Sequence, residues 1–429
     1  LNFEPTFTAA CLFPFCSKRV HWVESFLETG HQRSIPDTLA DKEHSLSRAE
    51  TGPVIAVSLI SALRLLGIFL ILPVFSVYAV RYPGASVGLA GVAFGSYALT
   101  QSLAQIPLGW ASDRWGRRPV LLIGLALFAL GSIACGLAEN IFQLIFARVI
   151  QGTGAVGSVA FAALADVTRP SVRTQAYTIT GLAIGSAFMI GVLAGPLLAA
   201  RVGLDGLFYL LAAVAILAML LAAISFPRIP RSAHREPPLA LKPLLFDGAL
   251  RPIFVAAFVL SLALNLFFFT YPLSWNELGL DKAELWRVYL VIFLPSVLLV
   301  FPYVRRSERR GRFRAPLLLG WLSAAAGYGV YLLGAQYDFL LYLAGATFFF
   351  GYSLYQPLLP AFLTRRVPSA GRGSASGIYS FAGFAGSSVG GILGGALMQI
   401  SPSLPELIGV VTLLMWFFLG LPTPPDNGA

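Results

Sequence analysis

About twelve times between residues 54 and 421 this chain runs for some 20 residues with almost no charge. That is the length a helix needs to cross the hydrocarbon core of a bilayer. The runs fall at 54–80, 87–108, 119–138, 141–164, 175–199, 204–226, 252–274, 286–304, 315–334, 338–363, 374–399 and 404–421. In lipid every backbone N–H and C=O must be satisfied within the chain, so each run is expected to be a helix. The runs are continuously apolar rather than alternating, which excludes a β-barrel. Only 12% of the 429 residues are charged and 57% are hydrophobic, about half the charge of a soluble domain. The expected fold class is an all-α polytopic membrane protein.

The net charge of +10 suggests nucleic acid until its placement is considered. Nineteen of the thirty Lys and Arg residues lie in alternate connections, at 109–118, 165–174, 227–251, 305–314 and 364–373. The opposite connections hold Arg81, Arg201, Lys282 and Arg287. This asymmetry is the positive-inside signal and places both termini in the cytoplasm. The partner of the basic loops is then the lipid bilayer, and nucleic acid is excluded because no folded basic module accompanies them. The expected location is a bacterial inner membrane.

Residues 1–50 are polar and mixed, and read as a disordered tail or an upstream extension from a mis-assigned start. Cys11, Cys16, His21, His31 and His44 lie there, but their spacing fits no zinc pattern. Neither a metal nor a cofactor is expected. The stretch 227–251 carries five prolines and divides the runs six and six, as a linker between two bundles does. The expected organisation is a bundle at 51–226, the linker at 227–251, a second bundle at 252–421 and a short tail at 422–429.

The connection at 109–118 reads GWASDRWGRR. Its order Ser112-Asp113-Arg114-Trp115-Gly116-Arg117 returns 195 residues later as Ser307-Glu308-Arg309-Arg310-Gly311-Arg312. A charged turn repeated at that interval signals two related halves. Gly109 and Gly116 permit a tight reversal. Arg114, Arg117 and Arg118 suit the headgroup level, and Asp113, an acid among bases, calls for a partner.

Those residues resemble a known family. Gly109-x-x-x-Asp113-Arg114-x-Gly116-Arg117-Arg118 after the second run resembles motif A of the major facilitator superfamily. Arg148-x-x-Gln151-Gly152-x-Gly154-Ala155 in the fourth is similar to its motif B. Gly191-x-x-x-Gly195-Pro196 in the fifth resembles motif C of its drug/proton antiporter branch, although Ala199 and Ala200 stand where that motif has a glycine pair. From Arg64 to Pro196 the chain is similar to the YajR-like group of that branch. The resemblance implies two pseudo-symmetric six-helix bundles, the major facilitator fold. It implies a cytoplasmic gate in which Asp113 faces the start of the eleventh helix and Arg117 bridges Asp113 to Asp166. Glu308 and Arg312 would be the counterpart in the second half. Gly191, Gly195 and Pro196 would serve close helix packing.

Several polar residues sit inside the runs. Arg64 lies about 15 Å into the first at 1.5 Å per residue, and Arg148 lies well into the fourth. An arginine at that depth is costly unless it faces a cavity or a partner. Tyr97, Gln101 and Gln105 recur every four residues on one face of the second run. Asn265, in the seventh, and Tyr355 and Gln356, in the tenth, complete the candidate lining of a central cavity with Gln151. Interhelical hydrogen bonding is the alternative reading for the neutral members. All twenty Asp and Glu residues are expected in tails, loops or run ends, so proton coupling rests on the resemblance rather than on a mid-membrane acid.

No nucleophile–base pair, metal cluster or nucleotide loop points to an enzyme. The expected function is secondary transport of a small-molecule substrate by alternating access, as a monomer, through proton-coupled efflux of a drug or metabolite. A carrier of small organic anions is the alternative within transport, and a non-transporting scaffold or sensor the alternative outside it.

Overall fold

The structure is a computed structural model that describes residues 46–154, 156–169, 171–226, 241–310, 313–367, 371–420 and 422. The tail before residue 46, most of the linker, Arg312 and residues 423–429 lie outside them. α1 (Arg48–Ile71) begins inside the stretch read as polar tail, because Ser47 and Glu50 form a reciprocal capping box that satisfies free amides at its start. α2 (Phe75–Ala79) completes the first span after a turn that contains Pro73. α3 (Val87–Trp115) is capped by the Ser86 hydroxyl, which accepts from the Leu89 amide at 3.1 Å.

α4 (Arg117–Gly136) follows α3 across one residue, Gly116, at φ 102°. Only glycine adopts that angle without strain, so the tight reversal read from the sequence depends on this position. The fourth apolar run is one candidate span, Ile141–Asp166, as expected, and within it lie α5 (Ile141–Thr153) and α6 (Gly157–Asp166). The division falls just beyond Gly152 and Gly154, which press α5 against the Tyr97 carbonyl of α3 and the Gly124 carbonyl of α4. α7 (Arg173–Ser225) carries the fifth and sixth spans and is broken at Gly203, φ 71°.

The second half comprises α8 (Leu241–Phe246) in the linker, α9 (Arg251–Glu277), α10 (Leu285–Arg309), α11 (Arg314–Gly334), α12 (Asp338–Arg366), α13 (Arg372–Ile400) and α14 (Leu404–Leu419). Eight helical stretches among the described residues are long and apolar enough to cross a membrane, and one of them, Gln175–Ser225, holds two spans. α3 and α12 are each 29 residues long but carry buried polar side chains, and α14 has 16 residues. Together these give the twelve spans of two bundles.

Lipid supplies no hydrophobic force between helices, so close backbone approach through small residues holds such bundles together. The repeat is written in those contacts. Gly191 and Gly195 of α7 lie on Phe69 and the Leu70 carbonyl of α1, while Gly386 and Gly390 of α13 lie on the Phe258 and Leu262 carbonyls of α9. Gly131 abuts the Gln151 backbone, and Gly327 abuts Phe348 in the same way. A Cβ added at Gly154 would lie 2.6 Å from the Gly124 carbonyl oxygen, and one at Gly351 2.5 Å from the Gly320 carbonyl oxygen. Glycine contacts about 195 residues apart therefore do equivalent work in each half.

The end of the molecule that carries the turn at 109–118 is the basic end. The bundles meet tightly at the other, far end, where the start of α3 crosses the end of α13. A Cβ added at Gly91 would lie 2.6 Å from the Gly395 Cα, and one at Gly95 would lie 2.6 Å from the Ser388 carbonyl. Gln399 accepts from the Gly88 amide at 3.0 Å and from the Ser86 hydroxyl at 3.3 Å. Tyr289 of α10 donates to the Pro73 carbonyl, and Phe188 of α7 meets Phe293 edge-on at 5.4 Å. Toward the basic end, a Cβ at Gly181, Gly185 or Gly377 would have no atom within 4 Å. Substitution Gly91→Val should therefore hold the far end apart. In a cysteine-free background, Ser86→Cys and Gln399→Cys should cross-link spontaneously, and adding Gly91→Val should reduce that yield at least several-fold on a non-reducing gel.

Candidate functional site

At the basic end the α3–α4 reversal brings three charges together. Arg117 Nη1 lies 2.7 Å from Asp113 and its Nε 3.0 Å from Asp166 at the end of α6. Its other contact is the Ser112 hydroxyl, itself bonded to the Gly109 carbonyl at 2.7 Å. Arg117 is buried while Asp113 is half exposed, so the cluster is anchored within its bundle and presents one carboxylate outward. Gly109 packs loosely against the Ser158 hydroxyl. Arg114 stacks on Trp110 at 5.4 Å, and Arg118 donates to the Ala223 carbonyl at the end of α7. Glu308 lies in α10, and its side chain, like Arg312, is outside the described set.

A second cluster lies midway along the first bundle, between α1, α3, α4 and α5. Arg148 is 4% exposed, and two of its three guanidinium nitrogens are hydrogen-bonded. Its Nε donates to the Ala93 carbonyl at 3.3 Å and its Nη1 to Gln151 at 2.6 Å. Its guanidinium lies 4.5 Å from the Tyr97 ring centroid and 5.3 Å from that of Phe75. Gln151 in turn donates to Ser132 at 2.8 Å, which bonds the Phe128 carbonyl. Arg64 is equally buried but less engaged: one Nη donates to the Tyr97 hydroxyl at 3.4 Å, Phe128 lies 5.6 Å away, and Nε has no acceptor.

The structure separates the residues that sequence reasoning grouped as one lining. Gln105 accepts from the Ser158 amide at 3.0 Å and ties α3 to α6, an interhelical bond. Tyr355 donates to the Leu317 carbonyl at 2.6 Å, which ties α12 to α11. Gln101 has no exposed surface, and neither its amide nitrogen nor its oxygen has a partner. Asn265 donates to Ser387 at 2.9 Å, joining α9 to α13. Gln356 is exposed and bonds Tyr352. Both line a neutral, polar cleft with Ser261, Tyr355 and Tyr379. Gly191 and Gly195 are packing positions on α1, and Pro196 follows them within α7.

Two acids lie at helix ends, as the sequence reading expected, and are buried there. Glu50 takes Arg169 through both carboxylate oxygens at 3.1 Å and also accepts the Arg169 amide at 2.9 Å, tying the start of α1 to the segment after α6. The Ser47–Glu50 capping box was legible in sequence, but a partner 119 residues away was not. Glu406, third in α14, is 3% exposed with Oε2 unpartnered. It lies at a run end, as read, beside Tyr331 of α11.

A polytopic helical protein with two six-helix bundles, a seam closed at one end and a charged cluster at the other belongs to the class of membrane carriers. The family model of the Major Facilitator Superfamily matches residues 57–283 and again 253–429. The inner membrane transport protein YajR of Escherichia coli is 32% identical over 363 residues, spanning 82% of this chain and 79% of its own. Multidrug resistance protein MdtH of Aeromonas hydrophila is 27% identical, over 84% of this chain and 93% of its own. The solved nucleoside transporter NupG shares the fold at a TM-score of 0.67 and 14% identity, over 85% and 98% of the two chains. The chain belongs to the major facilitator superfamily and is a membrane transporter.

Close packing around the motif B glycines predicts a sharp contrast. A Cβ at Gly152 would overlap the Thr100 hydroxyl and the Tyr97 carbonyl, whereas Gly185 faces open space. Gly152→Ala should cost about 1–3 kcal/mol, the range for overpacking. Gly185→Ala should stay within about 0.5 kcal/mol. Thermal melting of the two variants in detergent checks the difference.

Proposed function

We propose that this transporter is a secondary carrier of a bacterial inner membrane that exports a small organic solute by alternating access, with protons as the driving ion. The observation that carries the proposal is the asymmetry of the inter-bundle interface. Gly91 and Gly395 bring backbone onto backbone at the far end, and the hydrogen bonds Gly88–Gln399 and Tyr289–Pro73 join the bundles on the same side. Rocking one bundle against the other would exchange that closure from end to end. The positive-inside distribution makes the basic end cytoplasmic, so this arrangement is closed toward the outside.

In this reading the Asp113–Arg117–Asp166 cluster is the cytoplasmic latch. Asp113 would engage the start of α13 when that side closes, where a helix N-terminus favours a carboxylate. Glu308 and Arg312 would act likewise in the second half. Partly exposed ion pairs are worth under about 1 kcal/mol each, which suits a latch between states separated by a few kcal/mol. Export of drugs or metabolites is supported by the resemblance to MdtH, whose name describes multidrug resistance. The carrier is proposed to act as a monomer, since the twelve spans of one chain form both bundles.

A second reading, a carrier of organic anions, is favoured by one observation: Arg64 and Arg148 are buried with no ion-pair partner among the described residues. Uptake into proteoliposomes of a cationic dye and of an organic anion, with and without a pH gradient, separates the two. Gradient-dependent dye movement supports proton-coupled efflux, and gradient-independent anion movement supports the carrier. Asp113→Asn should insert normally yet lose nearly all flux of whichever solute the wild type moves. Wild-type flux in that variant contradicts the latch.

A further inference from the structure

We propose that Arg64, with Tyr97 and Gln101, is the binding point for the carboxylate group of an organic solute, and that Arg148 is not a ligand but holds the site in shape. The proposal rests on the second reading, a carrier of organic anions, and names the group by which the first bundle recognises the solute.

The two guanidiniums flank one tyrosine and differ in what they still offer. Arg148 spends its described donors on the Ala93 carbonyl and Gln151 and stacks on Tyr97 and Phe75. Arg64 meets Tyr97 at its hydroxyl and keeps Nε without an acceptor. Gln101, one turn along α3 from Tyr97 on the same face, is wholly buried with both amide atoms unpartnered. A buried donor left unsatisfied is costly, and a buried cation without a counter-charge costs more. A neutral interhelical role explains Gln105 and Gln151, which are bonded, but not Gln101.

The free donors define the ligand chemistry. An arginine edge presents parallel N–H groups that match the two oxygens of a carboxylate, and the Gln101 amide supplies a further N–H. A phosphate, with three acceptor oxygens and a second charge, would leave acceptors unmet here. A cation is repelled by two guanidiniums in a medium of low dielectric. The Phe128 ring beside Arg64 offers an apolar contact for the body of the solute.

The location links binding to the transport cycle. Tyr97 and Gln101 lie on α3, whose first turns carry Gly91 and Gly95 against α13. Any rocking that opens the α3–α13 seam moves the helix that carries two of the three ligands. Occupancy and closure of the far end are therefore coupled through one helix.

The test measures binding, not turnover. Purified wild-type protein in detergent is melted in the presence of benzoate and phenylacetate and of their uncharged counterparts benzamide and phenylacetamide. At least one carboxylate should raise the melting temperature, and its amide should not. Arg64→Gln should weaken that binding by about tenfold or more, the loss expected for a hydrogen bond to a charged group. Gln101→Leu guards against a misfolded Arg64 variant: without ligand it should melt at or above wild type, and its carboxylate affinity should still fall several-fold. Equal stabilisation by the amides, no stabilisation by either carboxylate, or wild-type affinity in Gln101→Leu overturns the proposal. Carboxylates that bind but do not cross proteoliposome membranes would leave the site standing and remove the transport reading.

Discussion

Close backbone contact at glycine is the constraint on which this molecule depends. A helix in lipid gains nothing by hiding leucine from its surroundings, so cohesion comes from surfaces that fit closely. Here glycines place whole helices on the carbonyl rows of their neighbours, α7 on α1 and α13 on α9 in equivalent fashion. The same device then serves the moving part. At the α3–α13 crossing Gly91 and Gly395 bring the two bundles into backbone contact. Such a contact fits tightly and needs few side-chain hydrogen bonds, chiefly those of Gln399, so it can close firmly and still part.

The polar residues are distributed around that frame by function. At the basic end Arg117 is buried between two acids, one of them half exposed. In the middle of the same bundle Arg148 is locked by aromatic faces and neutral acceptors, while Arg64 and Gln101 keep unspent hydrogen-bonding capacity. The second bundle faces its cleft with hydroxyls and amides, Ser261, Tyr352, Gln356 and Tyr379, and no charge. The two halves share packing but differ in chemistry, as duplicated halves with a single central site do.

Much of this was legible in the sequence. Lipid compels helices, so the apolar runs yielded the fold class, and the charged turn with its echo yielded the duplication. Gly386 and Gly390 stand 195 residues after Gly191 and Gly195, the interval of the charged-turn echo, and make the matching contacts. The site was less legible. Periodicity put Tyr97, Gln101 and Gln105 on one face but could not show that Gln105 is spent on Ser158 while Gln101 has no partner. Nor could it show that Arg148 is bonded through Nε and Nη1 while Arg64 Nε has no acceptor. Those distinctions depend on partners contributed by other helices, as does the clasp of Glu50 on Arg169.

Paired distances across the two ends test the central claim most directly. With spin labels at Arg81 and Arg287 for the far end, and at Arg114 and Arg310 for the basic end, pulsed electron resonance in lipid reads both separations. Alternating access by rocking bundles predicts two populations at each end, with conditions that lengthen the far-end distance shortening the basic-end one. A single fixed distance at both ends, unchanged by transported solute or by pH, would contradict it.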